Sequence, residues 1–196
     1  MTKPTSDLIN WDDVIFLDPT TGTDPFATSG IPIPTYGNYG GPGYTAGTLG
    51  GTTPDAPSPA PADALDALFY QHDLVFQKVN DGVLPPTVAI AATVDLILKM
   101  SALTYTDPGS PDYDPAAGLY EGLATLGLVS QVLVSTNAWN FLDAETQGAI
   151  AAATQEAVTN FEAGLAAIPG EAGSLHGAFN VFEHKFASSL PFDLMF

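Results

Sequence analysis

One histidine, two carboxylates and a run of glycines are the parts of this chain whose types and spacing suit chemistry. His72 falls on the stripe Leu65, Leu68, Phe69, His72, Val75, Phe76 and Val79, whose three-and-four spacing is one face of a helix over about 62–79. Taken alone, a histidine on such a face is a core residue satisfied by a carbonyl. Asp95 changes that reading, because it interrupts the most apolar segment of the chain, where an unpaired carboxylate is costly. This segment reads as a second helix over about 87–103. The turn between the two centres near Gly82-Val83, with His72 11 residues before Val83 and Asp95 12 residues after it. Positions equally far from a hairpin turn sit at one level, so His72 and Asp95 are expected to meet. A carboxylate that accepts from one imidazole nitrogen fixes the tautomer and leaves the other nitrogen free as a general base. The plain alternative is a buried ion pair with no catalytic part. Asp73, one residue on from His72, points about 100° around the helix, to the edge of the stripe. The run Tyr36-Gly37-Asn38-Tyr39-Gly40-Gly41-Pro42-Gly43-Tyr44 holds four glycines in nine residues. Such a loop can turn carbonyls inward, and carbonyls with one bidentate carboxylate make a calcium site. Without the rest, it is only a flexible turn.

The elements that must position these groups follow from composition and pattern. The chain has 196 residues, with Asp+Glu 22 against Lys+Arg 4, a net charge of −18 and no cysteine. There is also no arginine. Nothing can neutralise a row of phosphates, so nucleic acid is excluded as a partner, and an anionic membrane is disfavoured. Disulfides, thiolate metal sites and a cysteine nucleophile are excluded, while hard cations suit the acidic surface. Apolar residues make up 45%, enough for one domain with a core. Its longest apolar run, Gly118 to Val134, is broken by Glu121, Ser130 and Gln131 and reads as a buried helix, with no transmembrane segment. Residues 1–35 read as an N-terminal arm. Residues 19–61 hold 9 of the 17 prolines and 9 of the 19 glycines and are expected to be one long irregular loop. From residue 62 the pattern is helical: 62–79, opened near Asp63 and closed by Asn80-Asp81-Gly82; 87–103, apolar all round and so buried; 115–137 after Asp114-Pro115; 144–167 after Asp143; and 173–188. The fold class is mainly α. His176 and His184, eight apart on the fifth helix, read as structural, and Trp11 and Trp139 as packing anchors.

Two blocks of residues resemble one known family. Tyr36-Gly37-x-Tyr39-x-Gly41-x-Gly43 is similar to the calcium loop Y-G-x-Y-C-G-x-G-G of the secreted phospholipase A2 superfamily. Pro61-x-Asp63-x-Leu65-Asp66, followed at the family's spacing by His72-Asp73, is similar to its active-site helix D-x-L-D-x-C-C-x-x-H-D-x-C-Y. With the helix that carries Asp95, the likeness covers about 36–103: calcium loop 36–44, insertion 44–60, active-site helix 62–79 and second helix 87–103. Residues 115–196 would be a C-terminal helical extension on the same domain. The resemblance implies a two-helix catalytic core in which His72 activates water and Asp95 stands behind it. Asp73 would give calcium its carboxylate and Tyr39, Gly41 and Gly43 its carbonyls, with one Ca2+ per chain. The Gly41 amide would serve the oxyanion, and Leu65, Leu68 and Phe69 the acyl channel. The family's cysteines are replaced by Leu68, Phe69 and Val75, as in cysteine-free bacterial and viral-capsid members, so packing must replace disulfides. The family's tyrosine that supports the buried acid is Phe76 here.

The implied activity is calcium-dependent hydrolysis of the sn-2 ester of glycerophospholipids at a membrane interface, zwitterionic in preference to anionic. The alternatives are a non-catalytic calcium- or lipid-binding module that keeps the fold, and an acidic helical domain in which His72 and Asp95 are structural. The N-terminus has no apolar signal-peptide region. The ending Asp193-Leu194-Met195-Phe196 resembles the uncleaved C-terminal signal of type I secretion substrates in Gram-negative bacteria. Secretion by that route is one expectation for these residues and a C-terminus tucked into the core is the other, with a cytoplasmic location as the alternative to export.

Overall fold

The computed structural model describes residues 8–18, 22–23, 31–130 and 138–168. Three of the four described α-helices begin where a carboxylate can hold their free amides. Helix α1 (Ala64–Asn80) is capped by Asp63, whose Oδ1 accepts from the Asp66 amide at 2.8 Å. It ends at Gly82, whose φ of 73° lets the Val83 and Leu84 amides turn back to the Lys78 carbonyl. Helix α2 (Thr87–Met100) follows Pro85-Pro86 without a side-chain cap. Helix α3 (Pro115–Ser130) is opened by Asp114, which accepts from the amides of Ala116 and Ala117 at 3.2 Å each. Helix α4 (Ala144–Ala167) is opened by Asp143, which accepts from Thr146 at 2.7 Å. The described chain is mainly α, and none of its helices is long and apolar enough to cross a membrane. The expected fifth helix, with His176 and His184, lies outside the described residues, as does the C-terminal tetrapeptide.

Two expectations change. The first concerns residues 1–61. Strands β1 (Ile9–Asp18), β2 (Gly22–Thr23) and β3 (Ile31–Tyr36) form an antiparallel sheet in the order β2-β1-β3. The prolines of β3 are compatible with a strand because of where they fall. They occupy alternate positions, 32 and 34, opposite Phe16 and Val14. A strand with one neighbour needs donors on one side only, so proline at every second residue is tolerated at a sheet edge. Ile9 and Ile33 enter the same core as the helices, so the described strands β1 and β3 are part of the body and not an arm. After the glycine loop, β4 (Tyr44–Thr45) and β5 (Thr48–Leu49) pair as a small hairpin.

The second change concerns α2. Its buried residues are Thr93, Leu96, Ile97 and Met100, while Ala91, Asp95 and Lys99 form an exposed stripe four residues apart. The helix is amphipathic, and its alanines are the reason it reads as apolar all round.

The most intimate packing joins α3 to α4. A Cβ on Gly122 would strike the Ala157 carbonyl, and one on Gly164 would strike Leu119, so the two backbones nearly touch at both points. Glu121 is sealed into that seam at 1% exposure. It accepts from Asn160 Nδ2 at 2.6 Å and from Thr125 Oγ1 at 3.2 Å, and Asn160 Oδ1 accepts from Thr106 Oγ1 at 2.7 Å. Burial pushes the Glu121 carboxyl up to about 7, against the pull of those two donors. Trp11 and Trp139 pack against the core as anchors.

Candidate functional site

Asp66, Phe69, Tyr70 and Asp73 follow one another at helical spacing, so α1 turns two carboxylates, two turns apart, toward the glycine loop. Asp66 is fully buried and fastens the loop. Its oxygens accept from the Asn38 amide at 3.0 Å, the Tyr39 amide at 2.8 Å and the Ala62 amide at 2.8 Å. Burial raises its carboxyl above the usual range, and the amides of Ala62, Asn38 and Tyr39 pull it back. Gly37 has φ 55°, and a Cβ there would fall 2.5 Å from the Asp66 Cγ, so glycine is required. Tyr36 and Gly40 exchange backbone hydrogen bonds of 2.7 and 2.8 Å, which closes the turn. The Tyr36 ring stacks on Tyr120 at 4.8 Å and its hydroxyl donates to Asp63.

The loop atoms named by the resemblance are in unlike states. The Gly41 carbonyl accepts from the Tyr44 amide at 3.1 Å and the Gly43 carbonyl from the Gly50 amide at 2.7 Å, which leaves each one lone pair. Among the described residues, nothing bonds to the Tyr39 carbonyl or takes the Gly41 amide.

Asp73 faces the strand that leaves this loop. Burial raises its carboxyl above the usual range, against the pull that His72 exerts only when its imidazole is protonated and the pull of the Thr45 hydroxyl of β4. Its Oδ2 is buried and has no hydrogen-bond partner. Its Oδ1 lies 3.8 Å from His72 Nδ1. One position back, about 100° around α1, His72 faces α2. Its Nε2 is 3.1 Å from Thr93 Oγ1, and Thr93 Oγ1 donates to the Ala89 carbonyl at 3.0 Å. Phe76 lies against the imidazole with ring centroids 4.4 Å apart. Its ring therefore confines His72 and does not support an acid.

Asp95 does not stand behind His72. It is exposed and paired with Lys99 at 2.7 Å, four residues on along the same helix. Distance from a hairpin turn sets a residue's level and not its direction. Thr93 is the true mirror of His72 about Gly82-Val83, and Asp95, two residues further, points about 200° away from it. The acyl-channel candidates also divide. Leu65 is fully buried, and Phe69 is held edge-on between Tyr36 and Tyr120, so both belong to the packed core. Leu68 is only partly buried and has a face left over.

The insertion is strapped down. The Tyr39 hydroxyl donates to the Pro59 carbonyl at 2.7 Å, Tyr70 to that of Asp55 at 2.8 Å, and Asn38 Nδ2 to that of Ala60 at 2.9 Å. Three residues of the site were therefore not named as such from the sequence. Asp66 had a signal in its seven-residue spacing from Asp73, and Thr93 in the hairpin midpoint. Thr45, across a turn from the glycines, had none. Among the described residues no three His, Cys, Asp or Glu side chains form a group that could hold a metal ion. No family model matches the chain, nor does any curated protein or solved structure.

Proposed function

We propose that the chain is a calcium-dependent hydrolase of the phospholipase A2 kind, with α1, α2 and the glycine loop as its two-helix catalytic core. It would cleave the sn-2 ester of glycerophospholipids to a lysophospholipid and a free fatty acid. The observation that carries this reading is the bare, buried Oδ2 of Asp73, next in sequence to the part-buried His72 and beside the strand that leaves the glycine loop. A buried carboxylate oxygen with no donor is unfavourable, and a hard cation is the kind of partner it suits. Asp73 would hold the ion together with the carbonyl oxygens of Tyr39, Gly41 and Gly43, an all-oxygen set that fits calcium. Calcium, when bound, supplies a Lewis acid and a template for the ester and phosphate oxygens.

The chain's own residues do the rest. His72 accepts the proton of the attacking water at Nδ1, since Thr93 occupies Nε2. Phe76 limits rotation of the imidazole. The Gly41 amide is free to donate to the oxygen on which charge develops. The exposed face of Leu68 offers an apolar contact for the acyl chain.

The test is a calcium titration by calorimetry followed by fatty-acid release from phosphatidylcholine vesicles. The wild type is expected to do both, His72→Gln to keep calcium and lose turnover, and Asp73→Asn to lose both. A chain that takes up no calcium at saturation sinks the proposal, as does a fully active His72→Gln. The second reading is a non-catalytic calcium- or lipid-binding module. The exposure of Asp95 favours it, because His72 then has no acid behind it; calcium uptake by the wild type without fatty-acid release would decide for it.

A further inference from the structure

We infer that Thr93 is the residue that sets the tautomer of His72, holding the proton on Nε2 and leaving the Nδ1 lone pair open toward Asp73. The Thr93 hydroxyl has one proton, and the Ala89 carbonyl accepts it at 3.0 Å. The same oxygen lies 3.1 Å from His72 Nε2. With its proton committed, Thr93 can only accept from Nε2–H, and the chain Nε2–H to Thr93 Oγ1 to the Ala89 carbonyl makes two good hydrogen bonds.

In the opposite arrangement the hydroxyl turns to donate to Nε2, and the ring proton moves to Nδ1. On that side Asp73 Oδ1 lies at 3.8 Å, outside hydrogen-bond range. That arrangement makes one good bond and leaves a donor poorly met. Two features lock the first arrangement in place. Thr93 is buried at 3% exposure, so water does not compete for its oxygen. Phe76 covers the ring at 4.4 Å and opposes the flip that would exchange the two nitrogens.

Thr93 is thus a positioning residue. A neutral hydroxyl does here the orienting that a carboxylate would do, without adding a second buried charge beside Asp73. Its part in turnover rests on the hydrolase reading above; its control of the tautomer does not.

The test is long-range proton–nitrogen NMR on the full chain with 15N-labelled histidine, at a pH well above the ordinary imidazole range. The His72 pair is identified by its loss in His72→Gln. Wild type is expected to show a protonated Nε2 and a bare Nδ1. Thr93→Val, close to isosteric, is expected to move the proton to Nδ1, the side of the remaining acceptor, and Thr93→Ser to restore the wild-type pattern. In the fatty-acid assay Thr93→Val should lower kcat roughly tenfold, the share of one neutral hydrogen bond, with KM unchanged. A wild-type spectrum with the proton on Nδ1 overturns the inference even if no variant folds. So does a Thr93→Val spectrum identical to wild type. If the spectra behave as expected and no preparation releases fatty acid, the hydrolase reading fails and the role of Thr93 stands.

Discussion

Thr93 and Asp95 lie two positions apart on α2 and have opposite surroundings, one buried against His72 and the other in water beside Lys99. An exposed pair four residues apart on a helix contributes about 0.3–0.5 kcal/mol. Asp95→Asn is therefore expected to leave fatty-acid release unchanged and to shift the urea midpoint by no more than that energy implies. A variant without activity would return Asp95 to the site. The types of chemistry were legible in the residues: the imidazole on an apolar stripe, the adjacent aspartate and the glycine run. Direction around the helix was not. Level follows from counting along a hairpin, but which residue of α2 faces His72 depends on how the two helices are rolled, and the alanines of α2 hid its solvent stripe. Asp66 stands in the active-site-helix block without a role of its own, for a related reason. An aspartate in a first turn reads as a favourable charge near the helix dipole, and only the loop folded over it shows that it holds three amides.

At the seam of α3 and α4, the buried Glu121 makes stability depend on pH in the unusual direction. Its carboxyl is raised from an ordinary value of 4.5 to about 7 in the folded chain. The folded state therefore binds this proton more tightly than the unfolded state. The contribution is fully present below the unfolded value and is lost as pH rises through the folded one. The loss amounts to about 3 kcal/mol above that range. Glu121→Gln keeps the shape and removes the titration. Relative to wild type, it should gain stability in urea melts as pH rises from acid to slightly alkaline. A difference between the two that stays constant with pH would show that Glu121 does not titrate there. The burial of this helix was readable from its apolar run in spite of the glutamate. The partner was not, since Asn160 is 39 residues away on another helix. The strands of the first 36 residues were missed through the same kind of ambiguity. Proline and glycine mark an irregular loop when they are counted, and an edge strand when their parity is considered.

For the molecule as a whole, the governing quantity is the net charge of −18. Lys78 and Lys99, the cations among the described residues, are already set against Asp55 and Asp95. A ligand that binds only the folded state raises its stability by about 2.7 kcal/mol at a hundred times its dissociation constant. Calcium is accordingly expected to raise Tm more than magnesium does at the same ionic strength, because the smaller ion demands a stricter geometry than one carboxylate and loop carbonyls offer. Equal shifts with both ions would mean only that the surface charge is being screened. Zwitterionic vesicles should be attacked faster than anionic ones when calcium is scarce, and the reverse order would contradict the reading of the surface.

The alternate prolines of β3 reach further than the sheet they end. A bare strand edge invites another copy of the chain to dock there and start an aggregate, a hazard for a strand this rich in β-branched residues. Positions 32 and 34 have no amide hydrogen to offer an incoming strand. The stretch that delivers the backbone into the glycine loop is thereby protected from intermolecular pairing, and the loop's shape is left to the chain's own bonds, those to Asp66 among them.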